Sequence, residues 1–151
     1  MSLYAIALFV HIVGALVLFV LLTIEGVGLR LGIVAAPINR VLGPISAVAI
    51  LFPGLYMTAT QWGWKGWIAV SIATWVLIAV GGAITGISVM RGRMDMRTAT
   101  ISWLVRIGMA LAVVFDMTVK PEALVAVIVV LAGAMLAGAA AAILPRRPEP
   151  A

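Results

Sequence analysis

The side chains able to do chemistry in this sequence are few, and they stand inside long apolar stretches. His11 and Glu25 lie in the first stretch, and Arg106 and Asp116 lie in the fourth. Ionisable groups are costly to place inside a lipid bilayer, so each one is a candidate functional residue. Imidazole is an axial ligand of haem iron and changes charge near neutral pH, which makes His11 a candidate for either role.

Nitrogen and sulfur donors at comparable depth suggest two cofactors. Met57 or Met117, or His11 of a second copy, would supply the second axial ligand of a haem. His11 with Met57 and Met117 would instead form a soft ligand set for Cu(I). The chain has no cysteine, which excludes disulfides and thiolate chemistry. The candidate cofactor-binding residues are therefore these three, with haem or copper as the bound group.

Depth along the helices relates the charged residues to one another. With a rise of ~1.5 Å per residue across a core of ~30 Å, Glu25 and Arg106 fall near the same, inner boundary. Their opposite charges predict an ion pair that makes the first and fourth spans neighbours. Asp116 and Lys120, four residues apart near the outer boundary, are placed on one helix face within ion-pair range. Arg106 could instead reach lipid phosphates unpaired, and both pairs could serve structure alone.

The composition excludes a soluble protein. Of the 151 residues, 65% are hydrophobic and 10% are charged, and the mean hydropathy is +1.26. Ordinary soluble domains are about half apolar and about a quarter charged. The net charge of +5 comes from basic residues placed mostly between apolar segments, a pattern typical of membrane topology and not of nucleic-acid binding. No hydrolase motif or phosphate-binding loop is present, so no catalytic residue is predicted.

Five apolar segments are long enough to cross a bilayer, which takes about 20 residues. The polar links between them are short, so consecutive spans are expected to pack antiparallel. The predicted fold is an all-α polytopic transmembrane bundle of one domain, residues 1–144, followed by a Pro-rich, disordered cytoplasmic tail at 145–151. The predicted spans are Leu3–Leu29, Val41–Thr60, Trp67–Met90, Ala99–Val119 and Glu122–Leu144.

The distribution of basic residues predicts the orientation. Lys65 and Lys120 lie on the side that holds the N-terminus, and seven arginines lie on the other side. Cytoplasmic loops carry the excess of Lys and Arg, so the N-terminus is predicted outside and the C-terminus in the cytoplasm. Trp62, Trp64 and Trp67 cluster in the outer link and are predicted interfacial anchors. The seven arginines are Arg30, Arg40, Arg91, Arg93, Arg97, Arg146 and Arg147.

Small residues mark the faces on which the helices are expected to pack. Gly82 and Gly86, and also Gly28 and Gly32, have the spacing that lets helix backbones approach closely. The fifth segment carries a longer stripe of glycine and alanine, and such faces would also supply contacts between copies of the chain. Pro53 predicts a kink in the second span.

Patterns across most of the chain resemble a group of small bacterial integral membrane proteins of unknown function. The first span carries His-x-x-Gly-Ala within LFVHIVGALVLFV, and PGLYMTATQWGWKGWI, the Gly81–Arg91 end of the third span and MTVKP look like the same group. The group is loosely similar to the membrane domain of the copper-resistance D protein. In those relatives, and in the similar protoporphyrinogen-oxidising membrane enzymes, a first-helix histidine is associated with metal or haem. The resemblance therefore implies such a role for His11, in a multi-pass protein of the bacterial plasma membrane.

Together these observations predict a small integral membrane protein that self-associates or serves as an accessory subunit of a larger membrane assembly. Its surroundings are the lipid bilayer, and nucleic acid is not an expected partner. One alternative is a haem- or copper-binding membrane protein that uses His11. A second alternative is a proton- or solute-coupled transporter that uses His11 and Asp116 together with Glu25 and Arg106.

Overall fold

The computed structural model describes residues 2–31 and 36–143, and it is all-helical over those ranges. Five of the helices described there are long and apolar enough to cross a membrane, which confirms the predicted all-α bundle with five spans. The predicted tail at 145–151 lies outside the described residues. The helices are α1 (Leu3–Leu31), α2 (Ala36–Met57), α3 (Gly66–Met90), α4 (Met96–Val119) and α5 (Ala123–Ile143), and a π-helical turn at Thr58–Trp62 extends α2.

Helix ends differ from the hydropathy pattern where local chemistry sets them. The α4 helix begins before its predicted span because Asp95 caps it. Asp95 Oδ1 accepts a hydrogen bond from the Thr98 amide over 2.9 Å, and Oδ2 accepts one from the Thr98 hydroxyl over 2.6 Å. The bonds from the Thr98 hydroxyl and then the amide hold the pKa of exposed Asp95 below its ordinary value. The α2 helix, which is described from Ala36 onward, likewise includes residues before its predicted span.

The α1 and α2 helices form an antiparallel hairpin that is held close by a glycine. The Ser46 hydroxyl donates to the Gly14 carbonyl oxygen over 2.9 Å, and both residues are buried. A Cβ on Gly14 would lie 3.0 Å from Ala49, so the α2 backbone would have to shift to admit one. In this hairpin the absence of a side chain sets the distance between the helices.

The glycine and alanine stripe of α5 packs within the chain, against α4. A Cβ on Gly133 would lie 2.6 Å from the Gly108 carbonyl oxygen, and a Cβ on Gly138 would lie 3.4 Å from Val105. Lipid gives helices little hydrophobic drive to associate, so this close backbone approach is what stabilises the pair. Contacts between copies of the chain would have to use surfaces other than this one.

The α3 and α4 helices run antiparallel and meet along a line that we call the α3–α4 seam. Thr85 Oγ1 of α3 and Ser102 Oγ of α4 lie 2.7 Å apart on this line. About two turns away, Ile78 of α3 and Met109 of α4 belong to one buried apolar cluster, which also includes Leu22 of α1. The register of the seam is therefore defined at two levels, and the cluster ties it to α1.

The two ends of the bundle differ in the side chains that they carry. At one end α1 and α3 finish and α4 begins, and at the other end α2 meets α3 and α4 meets α5. The first, which we call the arginine end, carries exposed Arg30, Arg40, Arg91, Arg93 and Arg97. The second, which we call the tryptophan end, carries exposed Trp62, Trp64, Lys65 and Lys120.

Candidate functional site

Glu25 of α1 and Arg106 of α4 form an ion pair toward the arginine end, and both side chains are largely buried. Arg106 Nη1 donates to Glu25 Oε2 over 3.0 Å, and Arg106 Nη2 donates to Glu25 Oε1. This two-point arrangement satisfies both carboxylate oxygens, as a charge pair removed from water requires. The pair expected from matching depth and opposite charge is present, and it joins α1 to α4.

Neighbouring residues make room for this ion pair and hold its helices together. A Cβ on Gly82 of α3 would lie 3.1 Å from Arg106 Nη1, so the glycine leaves space for the guanidinium. Trp103, about one turn before Arg106 on α4, donates its Nε1–H to the Leu22 carbonyl oxygen over 2.6 Å. The indole ring also covers Gly26, where it leaves no space for a side chain. Trp103 thus holds α4 against α1 beside the pair.

A cavity of about 680 Å³ lies beside the ion pair, between α1, α2, α3 and α4. Glu25 and Arg106 form part of its wall, and most of the remaining lining is apolar. The α2 and α3 helices pack together only sparsely, and exposed residues of both helices line the cavity, so it opens to the surroundings between them. The apolar lining includes Leu18, Leu21, Trp75, Ile78, Ala79 and Ala83.

The charged residues of the cavity give its arginine end an excess of positive charge. Exposed Arg40 of α2 and Arg91, directly after α3, line this end of the cavity. Together with Arg106 they outnumber Glu25, the single carboxylate in the lining. Asn39 stands beside Arg40, and its Oδ1 is buried without a hydrogen-bond partner in the described part of the chain. This end therefore offers two guanidinium groups to an anionic ligand, whereas the Asn39 oxygen can only accept a hydrogen bond.

His11 is oriented by the turn of α2 that contains Pro53. His11 Nδ1 lies 2.7 Å from the Ile50 carbonyl oxygen. A carbonyl oxygen only accepts, so Nδ1 carries a proton, and Nε2 holds the lone pair of the neutral ring. Gly54 packs against the ring, since a Cβ there would be 3.3 Å from His11 Cε1. A bond from one ring nitrogen to a backbone carbonyl is how metal-ligating histidines are commonly oriented.

The two methionines predicted as partners of His11 lie in separate surroundings. Met117 packs against a cluster that includes Trp67 of α3 and Ala126 of α5. Met57 is buried at the end of α2, before the π-helical turn. Over residues 2–31 and 36–143, no three His, Cys, Asp or Glu side chains come together as a metal site. Among the candidate ligands, His11 shows the orientation that a ligand needs.

Asp116 and Lys120 do not form the ion pair that their spacing predicts. Lys120 ends α4 in the left-handed conformation, with φ of 54°, so its side chain leaves the face on which the i, i+4 rule holds. Its Nζ lies 3.8 Å from the centre of the Trp62 ring, as a cation–π contact. Asp116 is fully buried, and neither carboxylate oxygen has a hydrogen-bond partner among the described residues. The prediction of this ion pair is wrong because Lys120, the residue that caps the C-terminus of α4, does not have helical backbone angles.

Two of the three tryptophans predicted as interfacial anchors are exposed. Trp64 is 73% exposed and Trp62 is 39% exposed, as expected for rings at a membrane surface. Trp67 is instead buried, and its ring meets that of Trp62 edge-on, with 6.4 Å between the ring centres. The prediction is wrong for Trp67, because this residue already lies on the inward face of α3.

Sequence reasoning missed two residues of α3 that face the bundle. Ser71 is 1% exposed, and within the described ranges its hydroxyl has no hydrogen-bond partner, the condition also found at Asp116. Trp75, about one turn farther along, lines the cavity. A helical spacing that puts them on one face of α3 could have identified both residues from the sequence. The residues with this spacing are Ser71, Trp75, Ile78 and Gly82.

No family model, no curated protein and no solved structure matches the chain. The ion pair, the cavity and the buried polar side chains are therefore the basis on which a function is assigned. Of these three features, the cavity is the one with room for a ligand.

Proposed function

We propose that this protein binds an anionic membrane lipid, with one acyl chain in the cavity and the headgroup at Arg40 and Arg91. The observation that carries the proposal is the cavity itself. It is apolar over most of its lining, open between α2 and α3, and positive at the arginine end. Among the functions predicted from the sequence, lipid binding is most similar to that of a solute-coupled transporter. A role as a self-associating or accessory subunit stays a prediction.

The size and lining of the cavity support a lipid as its occupant. Ligand sites are commonly about 300–1,000 Å³ and combine apolar walls with a few placed polar groups. In a bilayer, the side opening between α2 and α3 would face acyl chains. Arg40 and Arg91 lie at the level of the exposed arginines of the same end, where headgroup phosphates would be.

The ion pair explains why the headgroup belongs at the arginine end and not deeper. Arg106 is neutralised by Glu25 through two hydrogen bonds, so the deep wall of the cavity has little net charge. The unneutralised positive charge of the lining is at Arg40 and Arg91. A bound lipid would therefore keep its charge near water and its chain inside, the arrangement with the smallest desolvation cost.

The proposed setting is the bacterial plasma membrane, with the N-terminus outside and the arginine end at the cytoplasmic face. The excess of arginine at that end supports this orientation through the positive-inside rule. Anionic lipids of the cytoplasmic leaflet would then be the ones within reach.

Lipid retention by the purified protein tests the proposal. Native mass spectrometry would count phosphatidylglycerol and phosphatidylcholine molecules that stay bound after gentle delipidation and rebinding. We expect preferential retention of phosphatidylglycerol, weakened roughly tenfold, or about 1.4 kcal/mol, when Arg40→Gln and Arg91→Gln are combined.

Arg93→Gln combined with Arg97→Gln is the matched control. Both arginines are exposed at the same end, and neither lines the cavity. This pair removes the same formal charge and should leave retention unchanged. An equal loss of phosphatidylglycerol retention in the two double variants would show that the preference depends on surface charge alone, and this would contradict the proposal.

A second candidate function is haem or copper binding at His11, favoured by the hydrogen bond to Ile50. That bond leaves Nε2 as the donor nitrogen, which fits an axial or metal-ligating imidazole. The second axial ligand would come from Met57, from Met117 or from His11 of another copy.

An absorption spectrum tests this second candidate. Protein purified in mild detergent from haem-supplemented cells would be compared with His11→Ala. A Soret band that is lost in the variant would support haem at His11. Featureless spectra from both proteins, with no copper in metal analysis, would remove the candidate.

A further inference from the structure

The strongest unexplained feature outside the cavity is a pair of buried polar side chains near the tryptophan end. Asp116 of α4 is 0% exposed and Ser71 of α3 is 1% exposed. Neither side chain has a hydrogen-bond partner among the residues that the structure describes. An unsatisfied hydroxyl costs free energy when buried, and an unpaired carboxylate costs far more. Two such groups in one bundle require an explanation.

The register of the α3–α4 seam brings the two side chains to one level. Thr85 and Ser102 contact each other, and both helices are regular and antiparallel from there toward the tryptophan end. Ser71 lies 14 residues before Thr85, and Asp116 lies 14 residues after Ser102. Fourteen residues are close to four full turns, so both residues return to the seam at the same height. Their shared burial agrees with this placement.

Neutralisation of Asp116 by another side chain is not available in the described part of the chain. Lys120 is engaged with Trp62, and His11 is bonded to Ile50. The described residues also include no group of three His, Cys, Asp or Glu side chains that could hold a metal ion. The other ionisable side chains toward this end are Tyr4, Tyr56, Lys65 and Glu122, and none of them bonds to Asp116.

We propose that Asp116 and Ser71 form a proton-binding site in the α3–α4 seam, in which Asp116 carries the proton as an uncharged carboxylic acid. The acid O–H is then a donor and the carbonyl oxygen an acceptor, and the Ser71 hydroxyl can meet either one. Release of the proton would leave a charge between packed helices, so it requires this end of the seam to open to water. The site is independent of lipid binding in the cavity.

Infrared spectroscopy can read the protonation of Asp116 because Asp95 and Asp116 are the chain's two aspartates. The protein would be made with a heavy carbon isotope in the aspartate side-chain carboxyl and measured in lipid across a pH series. In the Asp95→Asn variant, Asp116 is the only aspartate that contributes to the labelled carboxyl signal. We expect the labelled carboxylic-acid band to be present at neutral pH, and to be lost in the Asp116→Asn variant. An ionised, carboxylate band from Asp116 at neutral pH would overturn the proposal.

The role of Ser71 is tested in the same experiment. Ser71→Ala should shift the labelled acid band, because it removes the hydroxyl that the proposal places beside the acid. Ser88→Ala, on the same helix near the arginine end, is the matched control and should not shift it. A band identical in all three proteins would remove Ser71 from the site. Loss of the acid band on adding Na⁺ at constant pH would assign the site to a metal cation and overturn the proton.

Discussion

The ionisable residues inside the spans are found in three different environments. Glu25 and Arg106 neutralise each other, His11 donates to a backbone carbonyl, and Asp116 has no partner among the described residues. The first outcome follows from sequence, because opposite charges at matching depth have few other ways to be buried. The environments of His11 and Asp116 depend on which turn of a neighbouring helix faces each side chain. The depth of a residue along its own helix does not predict how the neighbouring helix is rotated.

Breaking the ion pair should destabilise the bundle. Glu25→Gln leaves the Arg106 charge buried without a counter-charge, at a cost of about 3–5 kcal/mol. The unfolding midpoint in detergent should therefore fall sharply, whereas Glu122→Gln, an exposed control, should leave it unchanged. Glu25→Leu combined with Arg106→Met removes both charges and should recover most of the loss. An unchanged midpoint in Glu25→Gln would show that the pair carries no stability.

The cap of α4 should make its first turn sensitive to acid. Hydrogen bonds from the Thr98 hydroxyl and amide hold the folded-state pKa of Asp95 below its ordinary value. The cap's contribution is therefore fully present above the unfolded-state pKa and is lost as the pH falls through the lower, folded-state pKa. The protection of first-turn amides from hydrogen exchange, measured relative to their intrinsic rates at each pH, should fall over that acidic range. Asp95→Asn still caps but does not titrate, so a variant with the same acid response would contradict this account.

At the scale of the elements, hydropathy predicts which segments are helices, and local chemistry decides where they end. The five spans and their order follow from apolar length. The early start of α4 depends on Asp95, and the lost pair at Lys120 depends on the left-handed end of the same helix. The π-helical turn at Thr58–Trp62 has no pattern in sequence that would predict it. The α5 stripe was predicted to pack, but its partner, α4, follows from the tertiary arrangement.

The contact between α4 and α5 should not tolerate a methyl group added at Gly133. In Gly133→Ala the new Cβ would lie 2.6 Å from the Gly108 carbonyl oxygen, so the helices must separate, at a cost of about 1–3 kcal/mol. Gly86→Ala is the matched control, because a Cβ there meets nothing within 4 Å. Thermal unfolding in detergent should show a lower midpoint for the first variant and an equal or higher one for the second. Equal midpoints would mean that this contact is not close in solution.

At the scale of the whole molecule, the cavity arises because α2 and α3 pack sparsely while each packs well against another helix. The ion pair in the cavity wall was predictable from the sequence. The cavity volume was not, because it depends on how several helices pack together. Arg40 and Arg91 were predicted only as markers of orientation. Both line the cavity, and under the proposed function they would also bind an anionic headgroup.

Quenching of Trp75 by a lipid with a brominated acyl chain tests lipid binding most directly, because this indole lines the cavity. Brominated phosphatidylglycerol, titrated into vesicles of phosphatidylcholine that hold the protein, should quench a saturable part of the emission. That part should be absent in Trp75→Phe, reduced when Arg40→Gln and Arg91→Gln are combined, and retained in Trp64→Phe. Equal quenching by brominated phosphatidylcholine would contradict the preference for an anionic lipid, and quenching that is unchanged in Trp75→Phe would contradict binding in the cavity.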